Sequence, residues 1–478
     1  MIHTYPFKTD PFKHQLDAWN ISKDKESFAL FMEMGTGKSK VILDTAAYLY
    51  DKGSIDSLLI VAPKGAYRNW QLNEVPTHLP DHILHTMAIW SAAPKKKEKE
   101  DLNIIQDPTA NLRILIMNVE AFSSARGVKF AQSIILGSKC MMVVDESTTI
   151  KNPGAKRTKS IIKCGVNSKY RRILSGEPVT RDPLDLYTQC EFLDETHLGF
   201  SSYYSYRNRY AIMQQMNLGG RAFKKIVGFQ RVDELNSLLK DFSYRVKKDD
   251  CLDLPEKSYQ YRYVTMTEEQ EKAYKQMKEV CMAAVNNDII TVPNKLSMLS
   301  KLHQITCGHI ISNQGDTSYI KNNRLDTLIE VCNEVDSKTI IWASYRADLK
   351  KISDTLRKEY GNDSTVEYWG DTDDKTRKEN IELFMKGEAK FFVANPATAG
   401  FGLNLQKANT VIYYSNSYNL EHRLQSEDRC HRIGQTKNVH YIDLITLGTV
   451  DEKIITSLKN KKNISQQVMG DKWKEWLS

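Results

Sequence analysis

The sequence predicts an α/β protein built from two parallel-sheet domains with a helical segment between them. Three observations lead there. From residue 28 to about 194, short β-branched apolar runs alternate with amphipathic stretches, the pattern of a mostly parallel sheet covered by helices. From Lys338 that rhythm resumes. The chain has 478 residues, more than a single core usually serves, so two or three domains are expected.

The first strand covers residues 28–32 and runs into Met34-Gly35-Thr36-Gly37-Lys38-Ser39, then into a helix marked by Val41-Ile42-Leu43 and Ala46-Ala47-Tyr48-Leu49. A glycine turn at a strand-to-helix junction gathers backbone N–H groups and the positive helix end at one point, which stabilises phosphate. Lys38 is placed to reach the β- and γ-phosphates of ATP and the Ser39 hydroxyl to bind Mg²⁺, with Gly35, Thr36 and Gly37 as the cradle. Met32 stands where the long phosphate-loop pattern has its first glycine, so alone the segment also fits an ordinary glycine turn. Further strands are expected at 57–62, 112–117, 140–144 and 172–175. Between about 195 and 315 strand-like runs are few, and 268–285 and 295–307 read as helices. Strands return at 339–343, 390–394, 410–414 and 440–445. The expected domains are therefore 1–200, a helical insertion and linker at 201–315, a second α/β domain at 316–448 and a closing helix at 449–478.

Lysine and arginine total 67 against 59 acidic residues, a formal charge of +8 that is compatible with a polyanionic partner. Eight cysteines lie singly at 140, 164, 190, 251, 281, 307, 332 and 430, which fits free thiols rather than a zinc site or a disulfide framework. No run approaches the ~20 apolar residues of a membrane span, and the first residues lack a signal-peptide pattern. A soluble intracellular protein is expected. The mixed-sign run at 95–101 reads as a solvated loop or helix end.

Val143-Val144-Asp145-Glu146 ends an apolar strand in two carboxylates, at the strand end where open α/β sheets present their ligands. Asp145 is expected to hold Mg²⁺ through water and Glu146 to orient or deprotonate the attacking water; the plainer reading is an acidic turn. Near the C-terminus, Arg429 and Arg432 are three apart, so on a helix they would share a face and could both reach a γ-phosphate. A salt-bridged surface helix is the alternative. In 203–210, tyrosines interleave with Arg207 and Arg209, which fits either a nucleic-acid surface or helix packing.

Several longer segments fall in a fixed order: 11–19 with Gln15, Ala62-Pro63-Lys64 with Asn69-Trp70, 145–153 with Lys151-Asn152-Pro153, Leu174-Ser175-Gly176-Glu177-Pro178, 194–199, 245–249 before Leu254-Pro255, 302–307, 399–405, 425–435 and 448–454. Together they resemble the superfamily 2 helicase-like ATPases of the SWI/SNF type over nearly the whole chain. The 425–435 match is the most specific. Departures are Ser147 and Thr148 in place of alanine and histidine, Glu177 in place of threonine, Tyr418 in place of a common tryptophan, and Asn395-Pro396-Ala397-Thr398 at the start of motif V.

The resemblance implies two RecA-like domains with helical insertions, and a DNA-dependent ATPase that moves along one strand of double-stranded DNA without necessarily separating the strands. ATP would lie between the domains, with Gln15 on the adenine edge, Gly402 and Gln425 among the nucleotide-binding residues, and Arg429 and Arg432 sensing the γ-phosphate. Pro63, Lys64, Trp70, Lys151, Asn152 and Tyr418 would follow nucleic acid. It further implies a compact, motor-only monomer gripping the phosphate backbone without sequence preference, a DNA-bound protein as a further target, and no membrane partner. A bacterial, archaeal or viral source implies the cytosol, and a eukaryotic one the nucleus. Branch migration, strand annealing, unwinding and displacement of an RNA polymerase share this motor and stay open, as does a non-hydrolysing ATP-gated scaffold.

Overall fold

The computed structural model of the chain describes residues 5–108, 111–218, 221–286, 292–312, 314–370, 372–399 and 403–469. Its strands are the continuous apolar runs, because a parallel sheet covered on both faces buries odd and even residues alike. In β1 (Ser27–Met32), Ala29 and Phe31 enter one buried layer while Phe28, Leu30 and Met32 enter the other. The next strands are β2 (Ser57–Ala62), β3 (His85–Ile89), β4 (Leu112–Asn118), β5 (Cys140–Asp145) and β6 (Tyr170–Leu174). A two-stranded sheet of β7 (Ala211–Leu218) and β8 (Arg221–Phe229) follows, then β9 (Ser243–Val246).

The first sheet has the order β3-β4-β2-β5-β6-β1-β9, and its pairs are parallel. Its register positions the site. Asp145 lies opposite Leu174, Leu174 opposite Leu30, and Val61 opposite Val144. The C-terminal ends of β1, β2, β5 and β6 therefore meet at one rim. This sheet belongs to a unit made of Met1–Gln214, Lys224–Asp253 and Lys461–Ser478.

The second unit comprises Gln215–Phe223 and Leu254–Asn460. It holds β10 (Lys257–Val264), a small antiparallel pair of β11 (His309–Ile311) and β12 (Thr317–Tyr319), then β13 (Thr339–Trp342), β14 (Thr365–Tyr368), β15 (Phe391–Ala394), β16 (Thr410–Tyr413) and β17 (Val439–Thr446). The six-stranded sheet is ordered β10-β17-β16-β13-β15-β14, again with parallel pairs. Ile341, Val393 and Ile412 pack in one layer, and Ile340, Trp342, Phe392 and Val411 in the other. Two parallel sheets, each sandwiched by helices, are the RecA-like pair expected.

The stretch 201–315 departs from its expected helical character. Helices Glu268–Asn286 and Val292–Cys307 are there, but so are β7, β8, β9, β10 and β11. β9 pairs with β1, so the first unit continues past residue 200, and β10 pairs with β17, so the second begins well before 316. Both are edge strands, and an edge strand needs less apolar sequence than a central one. The closing helix spans Val450–Met469, and its residues from Lys461 on belong to the first unit. Among the described residues no helix is long and apolar enough to cross a membrane.

Candidate active site

The turn after β1 is shaped by its glycines. Gly35 and Gly37 have φ of 79° and 90°, a left-handed conformation that side chains resist. A Cβ on Gly37 would sit 2.2 Å from Gln15 Nε2. Gln15 is held against the loop from the helix α1 (Lys13–Ser22): its amide donates to Thr36 O at 3.0 Å and its Oε1 accepts the Phe12 N–H. His14, one residue earlier, also reaches Thr36 O at 2.8 Å. Its adjacency to Gln15 was the one available hint. Buried Arg172 fixes the far end of α1, donating to Ser22 O and Lys25 O at 2.8 and 2.6 Å.

Helix α2 (Lys38–Asp51) starts at this turn, with Ser39 in its first turn. Lys38 is 9% exposed, and its ammonium lies at the strand end, donating to Met32 O at 2.9 Å. A cradle of left-handed glycines, a helix start and a near-buried ammonium fits a phosphate chain.

Across the rim, Asp145 Oδ2 accepts the Trp70 indole N–H at 2.9 Å and Oδ1 accepts the Glu146 N–H at 3.0 Å. Burial raises the Asp145 carboxyl above its ordinary range, opposed by the indole and by the Lys38 ammonium. A carboxylate at the strand end offers the kind of oxygen ligand a divalent cation takes. Glu146 adopts φ 48°, ψ 63°, a conformation uncommon outside glycine and frequent at functional sites. The Ser147 departure has a buried partner, since its hydroxyl donates to Gln189 Oε1 at 2.6 Å while the Gln189 amide donates to Pro178 O and Asp185 O.

The loop after β6 leans on the phosphate turn: a Cβ on Gly176 would come 3.1 Å from the Met34 N. Arg245 on β9 clasps it, donating to Gly176 O at 2.6 Å and lying 3.5 Å from Glu177. Glu177 also accepts the Ser465 hydroxyl from the closing helix. The threonine-to-glutamate departure is therefore part of an ion pair. Read in sequence only as part of one resembling segment, Arg245 gave no sign of this role, because the β1–β9 pairing brings it there.

In the second unit, Arg429 and Arg432 do not share a helical face as their spacing implied. The helix Leu420–Glu427 stops before them, Asp428 caps it, and Leu405 N–H binds Arg429 O. Both guanidinium groups nonetheless converge on one acceptor, Leu403 O, at 3.2 and 3.1 Å. Arg429 Nε donates in addition to Gln425 O at 2.7 Å. Gln425 is 1% exposed, its amide donates to Glu421, and its Oε1 has no hydrogen-bond partner among the described residues. Gly402 lies outside the described residues.

The residues expected to follow nucleic acid divide. Lys64 and Asn152 are exposed, and Asn152 Oδ1 accepts the Gly154 N–H in its own turn. Lys151 is half-buried and donates to Thr180 Oγ1 at 2.5 Å. Tyr418 is half-buried against the apolar cluster that includes Leu302, Ile305 and Leu420. Two of them lie below the surface: Trp70 is 1% exposed with its indole donating to Asp145, and Pro63 is buried while its carbonyl closes the turn onto Ala66 and Tyr67. In helix Tyr203–Tyr210 packing prevails: Tyr206 and Tyr210 are buried and Arg209 pairs with Glu234.

A family model described as SNF2-related domain matches residues 13–310, and one described as helicase conserved C-terminal domain matches 320–434. Among curated proteins, the chain is 25% identical to YwqA of Bacillus subtilis, named for an ATP-dependent helicase or translocase, over 93% of this chain and 47% of that protein. It is 28% identical to the ISWI chromatin-remodeling complex ATPase ISW2 of Saccharomyces cerevisiae, over 94% of this chain and 40% of that one. The chain thus spans less than half the length of these relatives. Among solved structures, the Sulfolobus solfataricus SWI2/SNF2 ATPase core in complex with dsDNA is 24% identical, with 100% of this chain and 97% of that chain covered and a TM-score of 0.43.

Proposed function

Since the chain belongs to the SNF2-related family of helicase-like ATPases, we propose that it hydrolyses ATP with Mg²⁺ to move along double-stranded DNA and remodel DNA or DNA–protein complexes. The observation that carries this reading is the meeting of Lys38, Asp145 and Glu146 at one rim of the first sheet. Lys38 and the Gly35–Gly37 turn would hold the β- and γ-phosphates, Ser39 and Asp145 the metal, the latter through water. When bound, ATP with Mg²⁺ supplies the phosphoryl group whose transfer to water is the reaction. Glu146 orients that water and takes its proton. Gln15, a buried amide held against the turn, would read the adenine edge. Arg429 and Arg432 would reach the γ-phosphate and stabilise its charge.

Duplex contacts would be phosphate contacts, made through exposed cations such as Lys64, and hence insensitive to sequence and weakened steeply by salt. The test is the ATPase rate of the purified chain with duplex, single-stranded, forked and RNA substrates side by side. Stimulation by duplex DNA above all others is expected. A preference for single strands or forks would favour unwinding, and equal rates with and without nucleic acid would remove the translocase.

A further inference from the structure

We propose that Trp70 is a positioning residue for Asp145 and ties that carboxylate to the surface segment 63–74. This rests on the ATPase reading and adds to it a means of regulating the metal site. Because Val61 lies opposite Val144, the chain leaving β2 starts beside the end of β5. It turns at Pro63, whose carbonyl accepts the Ala66 and Tyr67 N–H groups at 2.8 and 2.9 Å, and then makes a π-helical turn over Trp70–Glu74. Such turns recur at functional sites because the extra residue re-aims one side chain. The Asn69 amide braces this one, donating to Glu74 at 2.8 Å.

The side chain re-aimed is Trp70. Its ring packs among Ile60, Ala62 and Val75 in the buried layer over the sheet, and its N–H donates to Asp145. An indole offers one donor and no acceptor, and when buried that donor has to be satisfied. With the Glu146 N–H on the other oxygen, two donors from two chain segments fix the rotation of the carboxylate. This is the relation of an outer group to a metal ligand, and loss of such groups weakens metal binding by about 10- to 100-fold. The same segment exposes Lys64 and Arg68. An anion gripped by those cations would steady the turn whose rigid ring ends on Asp145.

The experiment titrates Mg²⁺ against a fluorescent ATP analogue bound to the full chain, without and with duplex DNA. Trp70→Phe keeps an aromatic ring and deletes the N–H. Its Mg²⁺ requirement should rise about 10-fold or more while affinity for the metal-free analogue holds. In an Asp145→Asn background, which removes the anionic group that Trp70 is proposed to position, the same change should add nothing. DNA should lower the Mg²⁺ requirement of the unaltered protein and leave that of Trp70→Phe unmoved. If Trp70→Phe does not fold, β-(3-benzothienyl)alanine at position 70 keeps both rings without the N–H. An unchanged Mg²⁺ requirement, additivity with Asp145→Asn, or an equal DNA effect in both proteins overturns the inference. An unaltered protein that binds no nucleotide overturns the ATPase reading instead.

Discussion

The two sheets of this chain use buried charge in opposite ways. At the rim of the first, Lys38 and Asp145 are buried and hydrogen-bonded to neutral groups, the Met32 and Glu33 carbonyls for the one and the Trp70 indole and Glu146 N–H for the other, while Glu146 sits in a left-handed backbone. In the second, the most deeply buried charges are paired to one another. Arg324 is 0% exposed and donates to Asp451, to Thr446 Oγ1 and to the Tyr414 and Leu444 carbonyls. Burial pushes the Asp451 carboxyl up, but Arg324 and His303 more than offset that and hold it below its ordinary range. Arg423 stacks 3.6 Å over the Tyr413 ring and pairs with Asp443 and Glu427. The first arrangement leaves charge to be completed by a ligand, and the second completes itself. The proposed ATP site draws on the first arrangement, and the second is a self-paired frame.

The sharpest way to break this contrast is at the rim. Lys38→Ala should abolish turnover in a steady-state ATPase assay, and Glu146→Gln should do so while still binding ATP. Normal DNA-stimulated hydrolysis by either would end the assignment. Next is the arginine pair, where Arg432→Ala should slow single-turnover hydrolysis about 10³-fold, roughly 4 kcal/mol, if it stabilises transition-state charge. A loss below about tenfold would leave it only its structural bond to Leu403. In the frame, Arg324→Met removes the guanidinium partner of buried Asp451 and should lower unfolding stability by about 3 kcal/mol, read as a fall in urea midpoint; an unshifted midpoint would contradict the self-paired description. The smallest effect is Ser147→Ala, which leaves Gln189 Oε1 without its buried donor and should cost about 1–2 kcal/mol. If it raised stability, the serine would be serving the site at the expense of the fold.

Much of this was legible in the sequence, and what was missed has physical causes. Central strands such as 57–62 and 140–145 announced themselves because both of their faces are buried. Ser243–Val246 and Lys257–Val264 did not, since each lies at a sheet edge and carries mostly half-exposed polar and aromatic residues. Lys38, Asp145 and Glu146 could be read from local pattern, because each follows directly from the end of its own strand. Trp70 could not, for its partner is 75 residues away and is brought near only by the pairing of β2 with β5. The spacing of Arg429 and Arg432 suggested a shared helical face where the helix has already ended, yet a carbonyl from Leu403 gathers both.

The division of labour between the units is tested most directly by equilibrium binding of ATP with Mg²⁺ to Lys38→Ala and Arg432→Ala, measured beside the unaltered chain. Loss of binding in Lys38→Ala with near-normal binding in Arg432→Ala is the predicted result. Near-normal binding by Lys38→Ala, or an equal loss in both, would contradict it.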